Sequence, residues 1–374
     1  MTIDRTVHTH HPDGDPVPLA RFSRIDVDSV LLLLRGSSVV DWITLHVETD
    51  PEIDAFLRVN ELDPDDPRDR ARFLRIRDEA VRYLREHLAY KVPPLFAETD
   101  DMRLLFRKAS GVSSRRSERF FACLMLKVMH VVHHAEAQEL LNVLPLSQAE
   151  LAILVQAKVE RVVRGMLERK FPIVLFSGNR KTRNSVLSKL LAKKDTQSAQ
   201  IFDKLRFRFV VERREDVPPL VLGLVRELLP VNYVVPLQTH NSLVDFDAML
   251  RQSGNRAVQE PEHGDVLINE PLDGMAHENK NEFSGPDYRV VNFVADVPLR
   301  VDRYLPRSVE RLSDDLGRVV FAPVEFQVVD RQTDLSNESG ENRHSLYKAR
   351  QRTKVRQRLE RGKRQKREIE APRP

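Results

Sequence analysis

The stretch Val324-Glu325-Phe326-Gln327-Val328 decides the fold class, because side chains along a strand alternate between two faces. Val324, Phe326 and Val328 point to a core, so Glu325 and Gln327 share the opposite face. On that face the strand either walls a cleft, where a carboxylate can bind a metal or act as a base, or forms an exposed outer surface. Outward from it, short apolar strands alternate with helices. Ile173 to Phe176 reads as a strand, Gly178 as a turn and Arg183 to Leu191 as a helix. Leu205 to Val211 reads as a strand, Asp216 to Leu229 as a helix, and Val231 to Val235, Tyr288 to Val297 and Val319 to Val329 as further strands. The alternation predicts an α+β domain over residues 171–348, a mixed β-sheet flanked by helices. Between about 246 and 286 periodicity vanishes among Gly254, Gly264, Gly274 and Gly285, and this stretch is expected to be a loop insertion.

The amino-terminal half is helical in pattern, so residues 21–170 are expected to form a helical domain or extension, with residues 1–20 a disordered terminus. Asp66-Pro67 is a helix start, a capping carboxylate followed by proline at the first helical position, and Phe73, Ile76, Ala80, Leu84 and Leu88 then recur at helical spacing. A second helix is predicted from about Ser117 to Leu141, with Phe121, Leu124, Met125, Val128 and Val132 on one side. Ser147 and Glu150 form a capping box that opens a third, ending near Leu167.

Composition narrows the class. The chain of 374 residues is 41% hydrophobic and 31% charged, as expected of a packed globular protein rather than a disordered one. The first twenty residues hold no apolar run of the kind an export signal needs, and Val30 to Leu34 is far too short to cross a bilayer. Cys123 is the single cysteine, which excludes an internal disulfide framework or a thiolate zinc site. A reducing, cytoplasmic setting without membrane attachment is the expectation. Residues 348–370 hold eleven Lys or Arg against three Glu. A block of this kind is either a solvated helix or arm, or a contact for a polyanion such as RNA or a ribosome, and residues 349–374 are assigned as a basic tail.

Four clusters carry residue types suited to phosphate chemistry. Lys181, Ser185 and Lys189 are spaced by four on one helix, and would present two ammonium groups and a hydroxyl together near a helix start, a phosphate cradle or a solvated face. Asp203 and Arg208 flank a strand entry, where a carboxylate can hold Mg²⁺ or pair with the arginine in a turn. Tyr288 and Asn292 fall on one strand face, suited to stacking on a base and hydrogen bonding beside it, or to ordinary sheet packing. Glu325 and Gln327 are the fourth. His130, His133 and His134 lie on one helix without an adjoining aspartate, so helix packing or a surface position is expected of them ahead of a metal site, and Asp245-Phe246-Asp247 lacks the Gly-Ser helix start of a polymerase-type metal pair.

Taken in order, these clusters resemble the synthetase domain of RelA/SpoT proteins and small alarmone synthetases. That pattern runs R-x-K-x-x-x-S-x-x-x-K, D-x-x-G-x-R, Y-R-S-L-H, E-x-Q and H-x-x-Y-K. Its counterparts here are Asn179-Arg180-Lys181 to Ser185 to Lys189, then Asp203 to Arg208, Tyr288-Arg289-Val290-Val291-Asn292, Glu325-Phe326-Gln327, and His344-Ser345-Leu346-Tyr347-Lys348. The match covers less than half of the chain and nothing before about Ala149. The resemblance implies a nucleotidyltransferase-like fold and Mg²⁺-dependent transfer of pyrophosphate from ATP to the ribose 3′-hydroxyl of a guanine nucleotide or related acceptor, tRNA included, as in guanosine tetraphosphate metabolism. It implies Asp203 and Glu325 as the metal-binding and catalytic pair, with Glu325 also a base for the acceptor hydroxyl. Arg180, Lys181, Ser185, Lys189, Arg208, Arg289, His344 and Lys348 become nucleotide and phosphate contacts, Tyr288 the platform for the acceptor base, and Asn292 and Gln327 its neighbours. A homo-oligomer is compatible with it. Three positions depart from the pattern. Asn179 replaces an arginine expected to stack on adenine, with Arg180 one residue away. Arg206 replaces the glycine of the aspartate motif, a change expected to crowd the metal, and Asn292 replaces a histidine. The competing expectation is a catalytically degenerate protein that binds RNA or nucleotide as a regulator.

Overall fold

The computed structural model describes residues 15–36, 42–180, 183–192, 205–255, 288–304, 316–338 and 344–360. Among the described residues seven α-helices come first: α1 (Arg24–Arg35), α2 (Asp50–Val59), α3 (Pro67–Glu86), α4 (Pro94–Ala97), α5 (Met102–Ala109), α6 (Arg116–Val143) and α7 (Gln148–Glu168). Their starts are written in side chains. Asp66 accepts the Arg68 amide at 2.9 Å ahead of α3, and the Ser147 hydroxyl accepts the Glu150 amide at 3.2 Å ahead of α7. Along α3, Phe73, Ile76, Ala80 and Leu84 are buried as their spacing predicts, whereas Leu88 falls past the helix end and is exposed. The buried stripe of α6 is rotated from the expected one. It runs through Ala122, Met125, Met129, His133, Ala137 and Leu140, and Phe121, Leu124, Val128 and Val132 flank it half-buried, because the small alanines and His133 let α6 lie close against the sheet.

The sheet follows: β1 (Ile173–Arg180), α8 (Arg183–Ala192), β2 (Leu205–Val211), α9 (Val217–Glu227), β3 (His240–Asn241), α10 (Phe246–Ser253), β4 (Val291–Arg300), β5 (Val319–Asp330), α11 (Arg331–Asn337) and α12 (His344–Leu359). Strand order is β1-β2-β5-β4-β3, with β2 and β5 parallel and the other neighbours antiparallel. The fold is thus α+β, a five-stranded mixed sheet flanked by helices.

Four local expectations are corrected. Gly178 is not a turn. It sits inside β1 opposite Phe207, and a Cβ there would meet the Phe207 ring at 2.8 Å, so the glycine clears room for an aromatic ring on the next strand. Val231 to Val235 is not a ladder strand. Pro230 and Pro236 bracket it, and it forms a single 3-10 turn, Val231–Tyr233, plus one isolated bridge from Val234 to Ala295. The start of the expected loop, Phe246–Ser253, is a helix capped by Asp245, which accepts the Ala248 amide at 3.0 Å, and closed by Gly254 in the left-handed region; residues 256–287 lie outside the described residues. Finally, β4 begins at Val291 rather than Tyr288. The Arg289 backbone pairs with the Asn337 side chain (2.7 and 3.2 Å) and the Val290 amide with Ser242 Oγ (3.1 Å), while the Val290 carbonyl accepts the Ser242 amide (3.0 Å), so side chains and one backbone bond hold this segment in place of a strand ladder.

One contiguous cluster of buried apolar side chains runs from Phe22 and Val30 of the first helices through Phe207, Phe293 and Phe326 of the sheet. Ion pairs and a hydrogen bond cross the same boundary. Arg226 of α9 grips Asp26 of α1 (2.7 and 2.8 Å), Arg300 of β4 grips Asp69 of α3 (2.6 and 3.0 Å), and Lys158 of α7 donates to the Pro298 carbonyl at 2.7 Å.

Candidate functional site

Register partners on adjacent strands share a face, so the sheet pairing places the candidate residues directly. Arg206 lies opposite Glu325 and Arg208 opposite Gln327 across the parallel pair. Asn292 lies opposite Gln327 across the antiparallel one, and Asn179 and Ser177 of β1 lie opposite Arg206 and Arg208. The alternate positions Phe176, Phe207, Phe326 and Phe293 form an aromatic row on the other face. Glu325 and Gln327 therefore occupy a polar face continuous over four strands.

That face is knit by hydrogen bonds. Arg206 donates through Nε to Glu325 Oε2 at 2.7 Å and through Nη2 to Oε1 at 3.1 Å, and Gln327 Nε2 donates to the same Oε1 at 3.3 Å. Arg208 Nη1 donates to Gln327 Oε1 (3.3 Å) and to the Tyr288 hydroxyl (3.4 Å), while its Nη2 and Nε reach Asp334 Oδ1 at 2.5 and 3.2 Å. Burial works against the charge of Arg208, but Tyr288 and Asp334 outweigh it and raise its pKa above the ordinary arginine value. Asn292 Oδ1 is buried without a hydrogen-bond partner. Unpaired buried oxygens are costly, and a ligand donor or a water is what ordinarily fills such a place. Among the described candidates, then, Arg208, Tyr288, Asn292, Glu325 and Gln327 come together, and Arg289 stands beside them, exposed, at the Tyr288 end.

Other candidates are placed only in part. Arg180 ends β1, Ser185 and Lys189 lie on α8, and His344 and Lys348 open α12, with the side chains of these five outside the described set; Lys181 and Asp203 lie outside the described residues altogether. The two helices are neighbours. α12 packs on α8, and Arg358 Nη1 donates to the Leu191 carbonyl at 2.7 Å.

Two residues escaped the sequence analysis. Asp334 is the carboxylate partner of Arg208, in the first turn of α11. Asp330 caps that helix, accepting the Thr333 amide at 3.0 Å, and the run from strand end through capping aspartate to Asp334 was the available signal. Asn337, by pairing with the Arg289 backbone, fixes where Tyr288 stands.

The fit to Mg²⁺ can be judged from the donors. Mg²⁺ takes oxygen ligands at about 2.0–2.1 Å in octahedral geometry. Both Glu325 oxygens already accept from a guanidinium, the side chain is only 7% exposed, and no group of three or more His, Cys, Asp or Glu among the described residues is arranged to hold a metal. The described donor set, as arranged, does not fit a resident Mg²⁺.

The remaining motifs are structural. Asp245 caps α10 and Asp247 pairs with Arg35 at 3.2 Å. On α6, His133 Nδ1 lies 3.0 Å from the Tyr233 hydroxyl and the His130 ring lies 4.5 Å from the Tyr233 ring, while His134 stands 3.3 Å from Asp296. Burial pushes His130 down to about 4 and His133 to about 3, so both are neutral packing groups.

No protein-family model and no curated protein sequence matches the chain. Among solved structures it is similar to small alarmone synthetase 1 from Bacillus subtilis bound to its product pppGpp, at 14% identity over 59% of this chain and 93% of that chain, with a TM-score of 0.29. It is also similar to small alarmone synthetase 2 from Bacillus subtilis, at 12% identity over 58% and 98% with a TM-score of 0.28. A GTP pyrophosphokinase family protein from Streptococcus pneumoniae follows at 12% over 59% and 88%, with a TM-score of 0.27. Superpositions this partial leave function to be read from this chain's own residues. No helix among the described residues is long and apolar enough to cross a membrane.

Proposed function

We propose that the polar face of the sheet is a nucleotide-binding site of the RelA/SpoT synthetase type, and that its chemistry is pyrophosphate transfer from ATP to the 3′-hydroxyl of a guanine nucleotide or related acceptor. The observation that carries the proposal is the single network joining Arg208 to Tyr288 and to Gln327, 80 and 119 residues away in sequence, and through Gln327 to Glu325. Arg208, Arg180, Lys181, Ser185 and Lys189 bind phosphates, Tyr288 stacks on the acceptor base, and Asn292 Oδ1 accepts a hydrogen bond from it. Such chemistry asks the protein mainly for positioning and for cations where charge develops. Glu325 takes the acceptor hydroxyl's proton, which requires Arg206 to release at least one carboxylate oxygen.

A second reading, favoured by the Arg206–Glu325 pair itself, is binding without transfer. Labelled ATP with Mg²⁺ and a panel of GDP, GTP, AMP, ADP and deacylated tRNA separates the two. Transfer that is lost in Glu325→Gln and Asp203→Asn supports the enzyme. Bound but untransferred nucleotide selects the second reading, and a chain that neither binds nor transfers has no nucleotide site. The basic residues of α12 and the tail extend the proposal to RNA. RNA affinity that falls steeply with salt and vanishes on deleting residues 349–374 is the expected result, and salt-independent or absent binding dismisses this part.

A further inference from the structure

We propose that Arg206 is the resident cation of the Glu325 site, holding by a guanidinium the position at which a divalent metal would otherwise bind. The proposal deepens the nucleotide reading above and concerns which cation that face presents to phosphate. Three observations carry it. Arg206 and Glu325 are register partners on parallel strands, so their proximity is set by the sheet and not by a flexible surface arm. The contact is bidentate, Nε to Oε2 and Nη2 to Oε1, the geometry that fits a guanidinium fork to a carboxylate. Gln327 closes the remaining approach to Oε1, so the carboxylate is served by three donors in a place almost shut from water.

An arginine cannot be discharged at any ordinary pH, so the cation is permanent. A metal arriving at Glu325 would have to displace two charge-assisted hydrogen bonds while lying against a positive group. The neighbouring Arg208, two residues along the same strand face, is also held by a carboxylate, its Nη2 and Nε both donating to Asp334 Oδ1. The face thus offers an incoming polyphosphate two positioned guanidinium groups, one paired with Glu325 and one with Asp334. The class of ligand that suits this is a nucleoside di- or triphosphate whose charge is met by arginine rather than by a protein-held metal.

The test is Mn²⁺ binding to the full-length protein, read by electron paramagnetic resonance without nucleotide. Wild type and Arg206→Lys are expected to show no Mn²⁺ bound at Glu325. Arg206→Ala and the shorter, polar but neutral Arg206→Gln are expected to bind it at least about tenfold more tightly, and Glu325→Gln in either background to abolish the gain. Using both neutral variants guards against one failing to fold, checked by the thermal transition. Wild-type binding that Glu325→Gln removes overturns the proposal. So does the absence of a gain in both neutral variants, since Arg206 would then not be what excludes the metal. ATP and GDP binding by calorimetry, with Mg²⁺ and with chelator, runs in parallel. No binding in either condition ends the nucleotide reading and leaves the Mn²⁺ result to decide this one.

Discussion

The two faces of the central sheet are built from the same strands in the same register, yet they are held by different physics. One face carries Phe176, Phe207, Phe326 and Phe293 in a row whose neighbouring rings stand 5.3 to 6.0 Å apart, with Phe207, Phe293 and Phe326 wholly buried. The other carries Arg206, Arg208, Glu325, Gln327 and Asn292, where each group's position depends on a partner's charge or hydrogen bond. Apolar packing is non-directional and scales with buried area, so the first face tolerates no missing volume. Hydrogen-bonded charge pairs with one partner still near water add modest net stability but fix geometry, so the second face can be altered chemically at a smaller cost to the fold than the first. A site placed there gains its precision from the rigidity of the opposite face.

The largest expected effect is on the aromatic row. Phe326→Ala removes the ring between Phe207 and Phe293 and should cost about 3–5 kcal/mol by urea unfolding, with loss of nucleotide binding as a consequence of lost folding. A cost below about 1 kcal/mol would show that the row is not the scaffold, against the usual behaviour of buried aromatic truncations.

Where α6 closes the end of the polar face, stability should depend on pH. His130 and His133 are held neutral by burial, at about 4 and about 3, with Arg72 also disfavouring charge on His133 and His134 on His130, whereas in the unfolded chain both titrate near 6.5. The unfolded state therefore binds protons that the folded state refuses. Stability is complete above pH 6.5 and falls as the pH drops through that value towards 4, by up to about 1.4 kcal/mol per pH unit for each histidine. Denaturant unfolding between pH 7 and 5 checks the sign, and His130→Gln with His133→Gln should flatten the curve in that window. An unchanged slope would mean that proton uptake by these two histidines on unfolding is not what lowers stability in acid.

The sequence made the strands legible wherever alternation was strict, as at Leu205–Val211 and Val324–Val328, and the helix starts wherever a capping side chain announced them, as at Asp66 and Ser147. It was least informative where a local signal was overruled from a distance. Gly178 has the composition of a turn, but Phe207, on another strand, is what requires it. Val231 to Val235 has the composition of a strand, but its flanking prolines leave it only one bridge. Tyr288, Arg208 and Gln327 could be named as a group only through the resemblance in their order, since nothing local shows that β2 and β5 are parallel neighbours across 119 residues. Arg206 was visible as a departure from a motif, and the register turned that departure into a specific pair with Glu325. Asp334 was invisible because its role depends on a helix docking beside Arg208.

The smallest expected effect sharpens the comparison most, because it asks whether charge holds the polar face at all. In Arg206→Ala the Glu325 carboxylate stays buried without its cation. In Glu325→Ala the arginine, 30% exposed, can turn towards water. The asymmetry predicts that Arg206→Ala destabilises more, by about 1–3 kcal/mol, and Glu325→Ala by less than about 1 kcal/mol, both below the figure for a fully buried pair because water screens one partner. The double variant should recover part of the loss, with a coupling energy of about 0.5–2 kcal/mol measured by urea unfolding. A coupling near zero would mean that the strands alone keep Arg206 against Glu325, and the polar face would then be a passive consequence of the aromatic one. A coupling within the expected range, found together with an unchanged cost for Phe326→Ala at low and high salt, would show two independent forces, with only the charged one free to change when a phosphate arrives.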